Sequence, residues 1–305
     1  MKVADLSRQE LAHRLSGNGL KLRTGPFVFS IRSPFQAVTE GLLTLYNQFP
    51  VEPPTTFSDF HIEVTPPKGL RRWIRPQSIF VFDGEIPFKP LAANQAFALL
   101  EWGMNWCIYN HAHHFLIIHG AVLERNGKAI LLPAPSGSGK STLCGALMSR
   151  DWRLLSDELI LIDPDDGKIT PLGRPVSLKN RSIDVLRTFA PGHYISAPIH
   201  DTAKGSVAHM KSTSDSMLRV DERVAPHWVI FPQYMENQEA TLTPLGKTDV
   251  FMALVENAFN YNILLEKGFV SLARLVDSIT GFKATYGSLD QVITHIDQLA
   301  DESGG

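Results

Sequence analysis

The sequence predicts an α/β fold, and three observations carry that prediction. Apolar strand-like runs alternate with helix-like segments from residue 115 onward. One such run, Lys128 to Pro133, enters a loop of small residues that leads directly into an apolar helix. Prolines at 50, 53, 54, 66, 67, 76 and 87 cut the first 92 residues into short pieces, which reads as a smaller N-terminal α+β region, 1–92, beside a main domain, 93–305.

The elements follow in order. An early polar helix precedes a strand at Phe27 to Ile31, whose aromatic and β-branched residues suit a pleated surface. A helix around Ala37 to Asn47 and strands near Phe57 to Val64 and Ser78 to Phe82 complete the first region. A helix over 93–112 carries Phe97, Leu100, Trp102, Trp106 and Tyr109 too widely spread for one stripe, which predicts burial on several sides and core aromatics rather than a ligand box. Phe115 to Glu124 reads as a buried strand, Arg125-Asn126-Gly127 as a tight turn, and Lys128 to Pro133 as its partner. The helix after the loop ends near Arg150, and short apolar strands follow at Trp152 to Ser156 and Leu159 to Ile162. Gly192 to Asp215 is polar and aperiodic, which predicts a mobile loop over a site and makes Lys204 and His209 candidates for a substrate or lid role. A strand at His227 to Phe231, helices around Thr248 to Asn257 and Ile263 to Ile279, a strand at Phe282 to Tyr286 and a final helix capped by Ser288-Leu289-Asp290-Gln291 close the chain.

Composition narrows the function classes. With 305 residues, 44% hydrophobic and 20% charged, the chain has enough apolar mass for a large core. A net charge of −2 gives no broad basic field, so no nucleic-acid partner is expected. Met1 to Gly17 lacks the roughly 7–15-residue apolar core of a secretory signal, and no run approaches the about 20 apolar residues that span a bilayer. Neither export nor a membrane is expected. The two cysteines, Cys107 and Cys144, lie in apolar helical contexts, which suits buried thiols in a reducing cytoplasm.

The loop carries the chemistry. Gly139, Lys140 and Ser141 match the end of a P-loop, while Ala134 stands where the pattern has its first glycine. Pro135, Ser136, Gly137, Ser138, Gly139, Lys140, Ser141 and Thr142 form the candidate cofactor-binding run. Small side chains let successive backbone N–H groups turn toward one anion. Lys140 would reach the β and γ phosphates, Ser141 would offer its hydroxyl to Mg²⁺, and the following helix would present its positive end. Alanine serves at position 134 provided its φ is negative.

Phosphoryl transfer also needs a carboxylate near the γ phosphate. Asp163 opens Asp163-Pro164-Asp165-Asp166-Gly167-Lys168, whose residues are those of a solvated turn. Asp157-Glu158 has no such explanation: it precedes a buried run with no turn former between, where two adjacent acids are costly unless a cation or hydrogen bonds hold them. Asp157 is therefore the catalytic candidate.

His119-Gly120 on the strand before the loop, the loop itself, and the acid pair one helix later resemble the HPr kinase/phosphorylase family, bacterial kinases that phosphorylate a serine on a small protein. Ser177-Leu178-Lys179-Asn180 and Lys204-Gly205-Ser206-Val207-Ala208-His209 resemble a divergent HPr kinase-related branch of it. The resemblance implies a P-loop kinase core of the HPr kinase/phosphoenolpyruvate carboxykinase type, ATP and Mg²⁺, and a peptide or small-protein acceptor. It also implies Asp157 as base toward the serine hydroxyl, His119 near the active site, and Lys179 among the substrate or lid residues. Founding members are hexameric, so a homo-oligomer is carried as an expectation. Two departures matter: the family's second acid is Asp where this chain has Glu158, and its glycine-rich signature with a metal-binding Glu is absent from Pro171 to Val185. Ser141 and Glu158 are accordingly the expected metal ligands, and the reverse dephosphorylation is not expected. Two rivals stand beside this reading. One is a small-molecule kinase or phosphoenolpyruvate carboxykinase-like enzyme, needing a carboxylate-binding arginine such as Arg174 or Arg181; the other is a non-enzymatic, nucleotide-dependent binding module.

Overall fold

A computed structural model describes residues 1–69, 72, 74–135 and 137–302. The chain forms a mixed α/β structure with three sheets. The first is five-stranded, in the order β1 (Leu20–Thr24), β2 (Phe27–Arg32), β3 (Phe60–Thr65), β4 (Gln77–Phe82) and β5 (Leu91–Ala92). Strand β1, LKLRT, alternates buried and half-buried residues as a one-sided strand must. The expected strand from Phe57 starts instead at Phe60, because Asp59 turns its carboxylate onto the Val28 N–H at 2.7 Å. Helices α1 (Arg8–Ser16), α2 (Gln36–Leu45) and α3 (Ala96–His111) accompany this sheet.

Helix α3 is buried nearly all round, as its scattered aromatics predict. Its Phe97, Met104 and Ile108 share one core with Leu22, Phe29 and Leu42 before it and with Ile117, Leu159 and Leu161 after it. Apolar contact therefore runs without a break past residue 92.

The second sheet has strands β6 (Leu116–Arg125), β7 (Lys128–Pro133), β8 (Arg153–Ser156), β9 (Leu159–Ile162), β10 (Ile169–Thr170), β14 (Ala225–Tyr234), β15 (Thr241–Leu245) and β16 (Thr280–Tyr286). Its order is β10-β9-β6-β7-β14-β16-β15, with β8 also on β6. Strands β7, β14 and β16 run parallel, and the other pairings are antiparallel. Both faces are covered, which explains why β7 reads as an unbroken apolar run. Ile130 and Leu132 face a core shared with α4 (Lys140–Met148) and α9 (Leu289–Glu302), whereas Ala129 and Leu131 face α7 (Lys247–Asn257) and α8 (Tyr261–Ser278).

The third sheet corrects the reading of Gly192 to Asp215 as a mobile loop. That segment holds β12 (Ile199–Thr202) and β13 (Gly205–Met210), and β13 also pairs with β11 (Val176–Lys179); it ends in α6 (Ser214–Leu218), while α5 (Arg181–Phe189) follows β11 directly. Its polar character belongs to β12 and the hairpin tip, where His200, Asp201, Lys204 and Gly205 are exposed, while Val207, Ala208 and Met210 are buried. The last four residues of β13, Val207 to Met210, are buried in succession, so the strand has no alternation to stand out among Ser, Thr and His.

Candidate active site

The loop leaves β7 at the carboxyl end of the parallel trio, where open α/β sheets place their ligand crevices. Ala134 is buried and is absent from the non-glycine residues of positive φ, so it meets the condition set for its position. Gly137 and Gly139 both adopt positive φ, +92° and +93°. At Gly139 this is compulsory on two counts: φ lies in the left-handed region, and a Cβ would meet the Tyr286 hydroxyl at 3.0 Å. Gly139 is the N-cap of α4, so Lys140, Ser141 and Thr142 form its first turn. Ser136 lies outside the described residues.

Lys140 is the centre of the site. It is only 5% exposed, and its Nζ has no hydrogen-bond partner. It stands 3.6 Å from Asp157 Oδ1 and 3.8 Å from Glu158 Oε2. Burial alone would lower its pKa, but the two carboxylates outweigh that and hold it above its ordinary value, so the ammonium stays charged.

The adjacent acids diverge because Glu158 adopts φ +73°. Asp157 points toward the loop: Oδ1 lies 3.4 Å from Ser141 Oγ, and Oδ2 accepts the Ser177 N–H at 3.0 Å. Its side chain is almost wholly enclosed. Glu158 faces the cleft, taking Lys179 Nζ at 2.9 Å on one oxygen and His119 Nε2 at 3.0 Å on the other. Burial would raise its pKa, yet Lys140, the His119 hydrogen bond and Lys179 overcome this and hold the carboxyl well below its usual range. Since that carboxylate is ionised, His119 Nε2 is the donor.

The structure thus brings His119, Lys140, Ser141, Asp157, Glu158 and Lys179 together. It alters the expected pairing of acids. Glu158, read with Ser141 as a metal ligand, instead gives both oxygens to cations, and the carboxylate beside Ser141 is that of Asp157. Ser141 Oγ and Asp157 are hard oxygen donors of the kind Mg²⁺ takes, and an ion completed by water and phosphate needs no larger protein set. Among the described residues no group of three or more His, Cys, Asp or Glu side chains could hold a metal alone.

All of these but Asp157 line a cleft of about 740 Å³ that also reaches Pro135, Gly137, Gly139, Thr142, Ser177, Lys204, Tyr234 and Tyr286. Ser138 is outside that lining; its buried hydroxyl has no partner, and its carbonyl accepts the Tyr234 N–H at 3.4 Å. Lys204 sits at the β12–β13 turn with its Nζ 5.3 Å from the Trp102 ring. Burial, Lys179 and Lys140 push its pKa down. His209 does not reach the cleft: it is 1% exposed, set edge-on to Phe97 at 5.3 Å, and burial lowers its pKa, so it is a neutral core histidine.

Sequence reasoning missed Asn180, Tyr234 and Tyr286. Asn180 has φ +52°, and its side chain accepts the Ser206 N–H at 3.1 Å and donates to the Lys204 carbonyl at 3.4 Å, which fixes the hairpin tip beside the cleft. Gly205 must be glycine there, because a Cβ would lie 2.2 Å from Asn180 Oδ1. The available signal was an Asn, a residue tolerant of positive φ, directly before a helix. Tyr234 and Tyr286 are paired positions on parallel strands, a neighbourhood that only the tertiary fold creates.

A model of the family described as SynChlorMet cassette protein ScmC matches residues 92–169, the span holding His119, the loop and the acid pair. No curated protein matches the chain. Among solved structures, the Hpr(Ser) kinase/phosphatase from Coxiella burnetii is similar at 12% identity and a TM-score of 0.29, covering 62% of this chain and 99% of that one. That likeness is weak, a distant relation at most.

Proposed function

We propose that this chain is a P-loop phosphotransferase of the HPr kinase/phosphoenolpyruvate carboxykinase type that moves the γ-phosphoryl group of ATP to a hydroxyl, foremost a serine of a peptide or small protein. One observation carries the reading: a buried, charged ammonium without a hydrogen-bond partner stands in the first turn of the helix that follows a glycine-rich loop. The carboxylates of Asp157 and Glu158 keep it charged from 3.6 and 3.8 Å, yet neither satisfies its N–H donors, and buried donors left unmade are costly until an acceptor such as a phosphate oxygen takes them. The loop amides and helix terminus favour the same anion.

The chain's own groups divide the work. Lys140 neutralises the β and γ phosphates. Ser141 and Asp157 are the residues that would hold Mg²⁺, which when bound spreads charge off the same oxygens. The acceptor oxygen bonds to the γ phosphorus as the bond to the bridging oxygen breaks, ADP leaves, and the hydroxyl proton passes to Glu158, which His119 holds in place through its Nε2–H. Glu158 takes this role over Asp157 because it lines the cleft while Asp157 is enclosed. Positioning and charge supply most of the acceleration in such a site. Lys179, bonded to Glu158, and Lys204 add positive charge to the same cleft.

The carboxykinase-like alternative loses one of its two arginines. Arg174 is buried, giving its guanidinium to Tyr46, Asn105 and Glu101, and only Arg181 lines the cleft. Among the described residues no helix is long and apolar enough to cross a membrane, and Cys107 and Cys144 are free and buried. We place the reaction in the cytoplasm, with no membrane or nucleic-acid partner, and leave a homo-oligomer as part of the proposal.

The test incubates the protein with γ-labelled ATP, Mg²⁺ and serine-containing peptides and small proteins, and locates the label by mass spectrometry. Lys140→Ala should abolish transfer, Glu158→Gln should lower turnover, and Asp157→Asn should raise the Mg²⁺ requirement. Transfer that survives Lys140→Ala sinks the reading, and label on a metabolite alone redirects it to a small-molecule kinase.

A further inference from the structure

Among the described residues, the fold leaves three buried donors at the phosphate loop without a hydrogen-bond partner: the Lys140 ammonium, the Ser138 hydroxyl and the Tyr286 hydroxyl. Tyr286 is the one that comes from outside the loop. It ends β16, and because β16 and β7 both run parallel to β14, that end lies at the same edge of the sheet as the loop. Tyr286 is 1% exposed, and its ring belongs to the core that Ala284 of the same strand shares with α4 and α9. Its hydroxyl emerges at Gly139, the N-cap of α4, where a Cβ would stand 3.0 Å from it, and the residue lines the cleft. Burial and the neighbouring Tyr234 raise its pKa, so the group stays protonated and can donate at neutral pH. Packing accounts for the ring, and a phenylalanine would meet that need; it does not account for the hydroxyl. Buried polar groups in native folds almost always have a partner, and an unmade one is costly.

We infer that Tyr286 is a further phosphate-binding residue of this site: its hydroxyl donates to an oxygen of the phosphate chain beside Gly139. The assignment rests on the phosphate-site reading and deepens it by adding a donor that the loop pattern does not contain. Lys140 supplies charge from a flexible stem, whereas a hydroxyl on a ring fixed in the core has one place to reach. The hydroxyl and the ammonium are both closed to water, so a phosphate oxygen reaches them only as the loop adjusts around it. That closure sets the energetics. The hydroxyl has already given up its hydration in the fold, so a bond to an anionic oxygen is gained at no further desolvation cost on its side. The same unmade donor burdens the free protein, so its removal favours the fold and harms the ligand. A hydroxyl that merely props the loop predicts the opposite sign for the fold.

Tyr286→Phe in the full chain separates the two, with thermal melts in the absence of ligand and calorimetric titration of Mg²⁺·ATP and of inorganic tripolyphosphate, which carries the phosphate chain without a nucleoside. The variant should melt at the wild-type temperature or up to about 4 °C above it. It should bind both ATP and tripolyphosphate about tenfold more weakly than wild type, and at least about fivefold, as the loss of a hydrogen bond to a charged oxygen requires. A melting temperature below wild type makes the hydroxyl a structural prop and overturns the inference. A loss under about fivefold for tripolyphosphate also overturns it, whether ATP is weakened, which would place the hydroxyl on the nucleoside, or not. In each of these cases the phosphate site stands. Tripolyphosphate that fails to bind wild type, or whose binding ignores Lys140→Met, overturns both.

Discussion

Replacing Lys140 by methionine keeps the stem and removes the charge, which separates what the ammonium does for the fold from what it does for a ligand. The ammonium faces carboxylates at 3.6 and 3.8 Å, and it is 5% exposed. Removing one partner of a buried pair costs about 3–5 kcal/mol, chiefly because a charge is left unpaired. The lower end applies, since Glu158 keeps Lys179 and His119 and Asp157 keeps the Ser177 N–H. The variant should therefore lose about 3 kcal/mol yet remain folded, given the typical stability of roughly 5–15 kcal/mol. Urea unfolding with and without Mg²⁺·ATP reads both consequences. Wild type should gain about 2.7 kcal/mol when ATP is a hundredfold above its dissociation constant, and Lys140→Met should gain nothing measurable. A variant that loses stability but keeps the full ATP gain would mean the lysine serves only the two acids, and the phosphate argument would fail.

Three further outcomes follow from the same geometry. Gly139→Ala forces a side chain to φ +93° against the Tyr286 hydroxyl, so it should cost roughly 1–2 kcal/mol and weaken ATP binding, read by thermal melts and calorimetry. Ala134→Gly restores the missing motif glycine at a position that does not need it. It should cost about 0.4–1 kcal/mol through the unfolded chain and leave ATP affinity unchanged, as parallel melts and titrations would show. Glu158 has a depressed pKa in the fold, so its stabilising contribution is full above its ordinary value of 4.5 and fades as pH falls through the lower folded value. The stability gap between wild type and Glu158→Gln should accordingly be flat at neutral pH and shrink below about pH 4.5; a gap that grows in acid would contradict the assignment.

Where one local rule decides a structure, the chain could be read directly. The β6–β7 hairpin follows from two apolar runs flanking Arg125-Asn126-Gly127, and its register pairs Arg125 with Lys128 as a two-residue turn requires. The acid pair was legible because buried adjacent carboxylates demand compensation, and Lys140, Lys179 and His119 supply it to Glu158. The division of labour between the acids was not legible. It depends on Glu158 turning to positive φ, a conformation that its residue type disfavours and its partners impose. Nor could the third sheet be read, because β11, β12 and β13 are stabilised by pairing with one another across intervening α5 rather than by any strong pattern of their own.

The first sheet and its helices do more than flank the site. Arg174 lies between β10 and β11, and its guanidinium is held by Tyr46 from the α2 end and by Glu101 and Asn105 of α3. Burial would lower the Arg174 pKa, and Tyr46 and Glu101 reverse that, so the charge persists in the core. Three residues later the Ser177 N–H holds Asp157. A guanidinium fixed by four hydrogen bonds from one region thus anchors the segment that orients the carboxylate of the other. Because a buried, partnered arginine is costly to free, the segment carrying Ser177 cannot drift without breaking that network. The precision of Asp157 against Ser141 therefore depends on packing that begins near residue 46, far from the loop in sequence and adjacent to it only in the fold.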